Sequence, residues 1–339
     1  MQLSEFDFPF DPDLVAQEPV IPRDRARLLL VDRKTAQLAH FHVSDLPQLL
    51  EPGDLLVVND TKVLAARVSG AKRPTGKPVE VLFVRDLGDS VWEIMVRGTI
   101  HVGQVIEFDG QSCATILQRD AAGTRAKVES SVPVAQLLRT RGAMPLPPYI
   151  KRASTQEDHH WYQTPFAKCE GAIAAPTAGL HFTQELLSRL DASALRVATV
   201  TLHVGPGTFK PVETERIEDH QMGGEAFDVT EETARAIVDT QQAGRRAVAV
   251  GTTVVRTLET VAREYGRVVS TSGESRLFIT PGFQFKVVDA LMTNFHLPRT
   301  TLLMLAAAFT GAELLRRAYE VAVREQYRFY SYGDAMLIL

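Results

Sequence analysis

Between residues 27 and 60 apolar runs alternate with turn residues, and the pattern predicts three strands, at 27–32, 37–43 and 54–59. From 62 to 130 the runs shorten and take a period of two, over 79–84, 91–96, 104–108 and 113–117, each bounded by Gly or Asp. Short strands so closely spaced, with no helix between them, predict a small antiparallel barrel or sandwich. A short helix at 134–141 and a stiff proline-rich stretch, Met144-Pro145-Leu146-Pro147-Pro148-Tyr149, lead out of it. After that, strands and helices alternate. A strand at 194–203 precedes a helix that starts at a Thr230 cap with an acidic first turn and stops near Gly244. A strand at 246–250 then leads to a helix capped by Thr252 or Thr253 and running to Tyr265; helices at 300–310 and 312–326 precede a last strand at 334–339. Such alternation predicts an α/β layer.

The chain has 339 residues, more than one hydrophobic core usually serves, so two domains are expected. The economical arrangement is a discontinuous α/β main domain, residues 1–60 and 150–339, with an inserted small antiparallel β-barrel domain at 61–149. The first three strands need partners from the second half, because a small sheet alone is only marginally stable. Charge sharpens this division. Residues 61–152 hold 14 Lys and Arg against 8 Asp and Glu, a net +6, while the remainder holds 23 against 33, a net −10. A basic module on an acidic body is the asymmetry expected when one part meets a polyanion, and Lys72, Arg73 and Lys77 in a loop of that module are its candidate nucleic-acid contacts.

The acidic start, Met1 to Phe8, lacks the features of a secretory signal, and the longest apolar run, 301–309, is too short to cross a bilayer, so a cytoplasmic protein without membrane partner is expected. Cys113 and Cys169 belong to no C-x-x-C or Cys/His spacing, which argues against a disulfide framework and a structural zinc site. No metal is expected.

Three histidines stand in constrained surroundings: Thr177-Ala178-Gly179-Leu180-His181-Phe182, Thr201-Leu202-His203-Val204-Gly205-Pro206-Gly207-Thr208-Phe209, and Thr293-Asn294-Phe295-His296-Leu297-Pro298. Near such bends an imidazole is well placed to handle protons. Gly251-Thr252-Thr253 places backbone N–H groups at a helix start that suits an anion, although simple capping explains it equally well. Arg256 and Glu259 on that helix are spaced to pair with each other or to grip a ligand. Asn59-Asp60-Thr61-Lys62 ends a strand, where α/β sheets bind ligands.

These phrases, with Ala175-Pro176, Arg256-Thr257-Leu258-Glu259, Arg23-Asp24-Arg25, residues 53–62 and the tail from Tyr327 to Met336, closely resemble the S-adenosylmethionine:tRNA ribosyltransferase-isomerase family of queuosine biosynthesis, over nearly the whole chain. The resemblance implies an α/β domain with an inserted β-barrel. It also implies an enzyme that transfers and isomerises the ribosyl part of S-adenosylmethionine, used as a substrate, onto 7-aminomethyl-7-deazaguanine in tRNA. Adenine and methionine leave, and epoxyqueuosine is formed. One departure is that His-x-Met-His before a Glu is here His220-Gln221-Met222-Gly223-Gly224-Glu225.

An alkylamine acceptor has a pKa of about 10.4 and needs a base, while departing adenine needs a proton. His181, His203 and His296 are the candidate proton-transfer groups, expected to converge on one cleft, with Asp60, Glu225 and Asp334 as further candidates; acid and base remain unassigned among them. The donor is expected against Gly205, Gly207 and the Thr252-Thr253 helix start, with Thr177, Thr208, Arg256 and Asn294 completing its binding set. A metal-dependent hydrolase and a non-catalytic tRNA-binding module are the alternative classes.

Overall fold

Four strands in which every residue is buried form the middle of a nine-stranded sheet: Leu55–Asn59, Ala247–Val250, Ala290–Asn294 and Ala335–Ile338. The sheet runs in the order Thr271–Ser275, Glu225–Val229, Arg196–Leu202, Leu55–Asn59, Ala247–Val250, Ala290–Asn294, Ala335–Ile338, Arg27–Val31 and Leu38–His42. The protein, seen in a computed structural model, is described over residues 1–205 and 212–339. Residues 196–202, 55–59, 247–250 and 290–294 are mutually parallel, and the antiparallel pairings lie to either side. This is a mixed α/β architecture.

Strand pleating explains why both faces are covered. Leu55, Val57, Ala249 and Leu291 point into one core, with helices Glu231–Gln242, Thr252–Tyr265, Thr301–Thr310 and Ala312–Arg324 packed over them. Leu56, Val58, Val248, Val250, Ala290 and Met292 point into the other, under Leu186 and Leu190 of helix Gln184–Ala192. Strands buried on both faces show no alternation in sequence. Ala290–Asn294 was visible only as part of a histidine motif, because its polar end, Thr293-Asn294, runs directly into that motif, and the strands at 225–229 and 271–275 had no expectation attached.

Thr230 accepts from the Thr233 N–H and Thr300 from that of Leu303, so both helices start as expected. The helix at 252–265 does not. Its N-cap is Gly251 at φ 96°, with no side-chain cap, and the Thr253 hydroxyl instead accepts from Asn59 Nδ2 at 3.3 Å.

By contacts the chain divides into two units, Met1–Lys62 with Pro147–Arg152 and Trp161–Leu339, and Val63–Leu146 with Ala153–His160. The second contains a closed barrel in the order Arg125–Ser130, Val91–Val96, Lys77–Asp86, Arg67–Lys72, Val105–Glu107 and Cys113–Arg119. Val81, Phe83, Ile94, Ile106, Ile116 and Val128 fill it. Gly70 is required where strands cross closely, because a Cβ there would lie 2.7 Å from the Glu107 carbonyl oxygen. Among the described residues no helix is long and apolar enough to cross a membrane.

Asp54, fully buried, fixes the start of the central strand: it accepts from the Arg246 N–H at 3.1 Å, from Arg246 Nε and Nη2 at 3.0 and 2.6 Å, and from the Glu51 N–H at 3.0 Å. Asp54→Ala strips a guanidinium and two backbone donors of their acceptor. It is expected to cost about 3 kcal/mol, read as a lowered denaturant midpoint; an unchanged midpoint would exclude the clamp.

Candidate active site

The four parallel strands end at one edge of the sheet, and Ala335–Ile338, antiparallel to Ala290–Asn294, begins there. Ligands of α/β sheets bind at such carboxyl edges. Asn59-Asp60-Thr61, His203-Val204-Gly205, Gly251-Thr252-Thr253 and Asn294-Phe295-His296 all follow these strand ends, while the Arg23–Arg25 turn and residues 330–334 precede strands starting there.

The first cluster is built on Asn59, Asp60, Thr61 and His203. Asn59 is buried; its Oδ1 accepts from the Leu202 and Thr61 N–H groups at 3.1 Å each, and its Nδ2 donates to the Leu202 carbonyl at 2.9 Å. Asp60 accepts from the Thr201 hydroxyl at 2.6 Å. His203 pairs through Nδ1 with Thr61 Oγ1 at 2.8 Å and is half-buried. Burial lowers its pKa below the usual histidine value, and the nearby Asp60 charge opposes this. Gly171 makes room for the ring, since a Cβ there would sit 2.8 to 3.0 Å from Cε1, Nδ1 and Nε2 of His203.

The second cluster is sealed. His181 is 1% exposed, and its Nε2 lies 3.1 Å from Asn294 Nδ2, which also donates to the Tyr330 and Asp334 carbonyls. The Thr177 hydroxyl donates to Asn294 Oδ1 at 2.8 Å. Burial, reinforced by the Arg23 cation, pushes the His181 pKa down to about 3; the Arg23 carbonyl, which Nδ1 faces without completing a hydrogen bond, offsets part of this. His296 is likewise held at about 3 by burial, with Nε2 2.9 Å from Thr293 Oγ1 and its N–H donating to Tyr319 Oη at 2.8 Å. Asp334 accepts from the Arg27 and Arg328 N–H groups at 2.9 and 2.8 Å, which fixes the chain entering two strands.

The spacing of Arg256 and Glu259 allowed a mutual pair, but each has another partner. Arg256, buried, pairs with Glu225 and donates to the Leu277 and Ser275 carbonyls; Glu225 also accepts from the Gly205 N–H at 2.9 Å. Glu259 accepts from the Lys286, Val287 and Val288 N–H groups. Thr252 is buried at its helix start, whereas Gly207 and Thr208 lie outside the described residues. In the barrel unit, Lys72 and Lys77 are opposite one another across a hairpin; Lys72 donates to the Thr99 carbonyl and Arg73 pairs with Glu107 at 2.7 Å. Among the described residues no group of three His, Cys, Asp or Glu could hold a metal ion.

Residue-level sequence reasoning gave no role to Gly171 or Arg23. Gly171 carries no local signal, because its partner is 32 positions away in the chain. Arg23 appeared only within a family resemblance.

An α/β sheet with polar side chains gathered at the carboxyl edge of its parallel strands, and with a closed β-barrel in the same chain, defines the class of this enzyme. The chain belongs to the family described as queuosine biosynthesis protein, whose profile matches residues 3–338. It is similar to the S-adenosylmethionine:tRNA ribosyltransferase-isomerases of Desulforamulus reducens, 46% identical, and Thermotoga maritima, 48% identical, each match covering 100% of both chains. A crystal structure of S-adenosylmethionine tRNA ribosyltransferase from Thermotoga maritima aligns with a TM-score of 0.59 and 39% identity over 99% of this chain and 100% of that one.

The two sealed histidines predict acid sensitivity. Their folded pKa values lie far below the unfolded 6.5, so their contribution is complete above about pH 6.5 and is lost as pH falls toward 3. Each adds a slope of up to about 1.4 kcal/mol per pH unit. His296→Asn should flatten the fall of the urea midpoint between pH 7 and 5; a slope equal to wild type would contradict neutral burial.

Proposed function

We propose that this enzyme transfers and isomerises the ribosyl part of S-adenosylmethionine onto the aminomethyl group of 7-aminomethyl-7-deazaguanine in tRNA, releasing adenine and methionine and leaving epoxyqueuosine in the tRNA. A tRNA substrate puts the reaction in the cytoplasm. The observation that carries the mechanism is the division of the histidines. His203 alone of the three is partly open, with Nδ1 held by Thr61 and Nε2 without a protein partner among the described residues. Its lowered pKa keeps it neutral at pH 7, able to take a proton from the aminomethyl group before the new C–N bond forms. Asp60 stabilises the imidazolium that results. His181 and His296, uncharged through the working pH range, orient Asn294 and Thr293 rather than supply protons.

Adenine release with both substrates present tests the reaction directly. His203→Asn is expected to lower kcat by at least about 10²-fold with little change in tRNA affinity. In wild type, kcat/KM should rise with pH along an acid limb below pH 6.5 and then level. Normal turnover in the variant would remove His203 from the chemistry.

The barrel unit supplies the basic surface for tRNA in this reading. Neutralising Lys72, Arg73 and Lys77 together should weaken tRNA binding and reduce the slope of log K against log salt by about 1 to 2, less than three full phosphate contacts because Arg73 already answers Glu107. An unchanged slope would exclude this hairpin.

A further inference from the structure

Buried polar atoms are almost always paired, and an unpaired buried charge is the costliest exception. Here two side-chain atoms that are buried and lack a hydrogen-bond partner lie around one turn, Thr177–His181: Arg23 Nη2 and Thr164 Oγ1. The turn ties them together, because Arg23 Nε donates to the Leu180 carbonyl at 2.9 Å and Thr164 Cγ2 lies 3.0 Å from where a Cβ on Gly179 would be. Arg23 is held firmly in place. Its neighbour Asp24 accepts from Thr183 Oγ1 at 3.0 Å, and its guanidinium lies 5.5 Å from the centre of the Tyr332 ring. Among the described residues it forms no ion pair with a carboxylate, and the nearby Arg328 adds a second positive charge. Burial lowers its pKa only to about 10, so the guanidinium stays charged at neutral pH.

We infer that Arg23, with Thr164 packed on the same turn, forms a subsite for a carboxylate, and that this subsite takes the amino-acid end of the ribosyl donor. The inference rests on S-adenosylmethionine being that donor. Its only anionic group is the carboxylate of the methionine part, and an enclosed Nη2 suits a small carboxylate rather than a phosphate of a tRNA backbone. A guanidinium presents a planar fork that matches a carboxylate and carries a full charge, whereas the helix start at Gly251-Thr252-Thr253 offers only a fraction of one. The subsite therefore outweighs that helix start for the carboxylate and leaves it for an uncharged part of the donor. Arg23 acts here in binding, at the far end of the donor from the ribosyl carbon that reacts.

The test compares S-adenosylmethionine with its decarboxylated analogue in adenine release with substrate tRNA. Wild type should prefer the intact donor by at least about 100-fold in kcat/KM, the scale of a charge-assisted pair. Arg23→Met should lose about that factor with the intact donor, mainly through KM, and change less than about 3-fold with the analogue, so that the preference collapses. Equal losses with both donors would make Arg23 merely structural and overturn the subsite. So would a wild-type enzyme indifferent to the carboxylate. Should Arg23→Met fail to fold, Arg23→Lys carries the comparison: its preference should fall about 10-fold, since a lysine cannot reproduce the fork, and an undiminished preference overturns the subsite. Absence of adenine release by wild type would instead overturn the donor reading itself, a result separable from any failure of the subsite alone.

Discussion

The amide of Asn59 is the contact on which the carboxyl edge of the sheet depends. It satisfies the Leu202 N–H and carbonyl, the Thr61 N–H and the Thr253 hydroxyl together, and so ties the end of the central strand to its parallel neighbour and to the start of the helix at 252–265. Strands that are buried on both faces cannot carry polar side chains in their middles without losing hydration. Polar chemistry is thus confined to the ends, and one amide there sets the positions of Asp60, Thr61 and His203.

The same confinement gives chemically identical side chains different properties. His203 lies at the rim, where Gly171 leaves room for its ring and Asp60 offsets part of the cost of charging it. His181 and His296 lie behind, where desolvation dominates and keeps both neutral. Arg23 sits in equally enclosed surroundings yet remains charged, because the ordinary pKa of a guanidinium is so high that burial cannot bring it to neutrality. A permanent cation near a neutral imidazole is an arrangement suited to binding an anion, and a partly open imidazole next to a carboxylate is suited to moving a proton.

The barrel unit shows why net charge is a coarse guide. Arg67, Arg73, Arg85, Arg97, Arg125 and Arg141 each have an acidic partner within 4.0 Å. These exposed pairs contribute little to stability. They do, however, neutralise part of the field that the composition suggests, leaving residues such as Lys77 to carry more of it.

Period-two alternation in residues 62–130, strand and helix alternation after residue 190, and the Thr cap before 231 were legible in the sequence, because each depends on neighbours a few positions away. So were the motifs, since loops at strand ends need Gly, Thr, Asn and His in close succession. The strand Ala290–Asn294 was not, because its polar end, Thr293-Asn294, runs directly into the Asn294-Phe295-His296-Leu297-Pro298 motif and reads as part of a loop. Arg256 went to Glu225 rather than to its helix neighbour Glu259, and Gly171 gained its purpose from His203, since both depend on which strands become adjacent. The sequence by itself determined which residues are able to do chemistry. Only the tertiary structure decided which of them are desolvated, which are committed to partners and which remain open, because burial and pairing are properties of contacts between segments far apart in the chain.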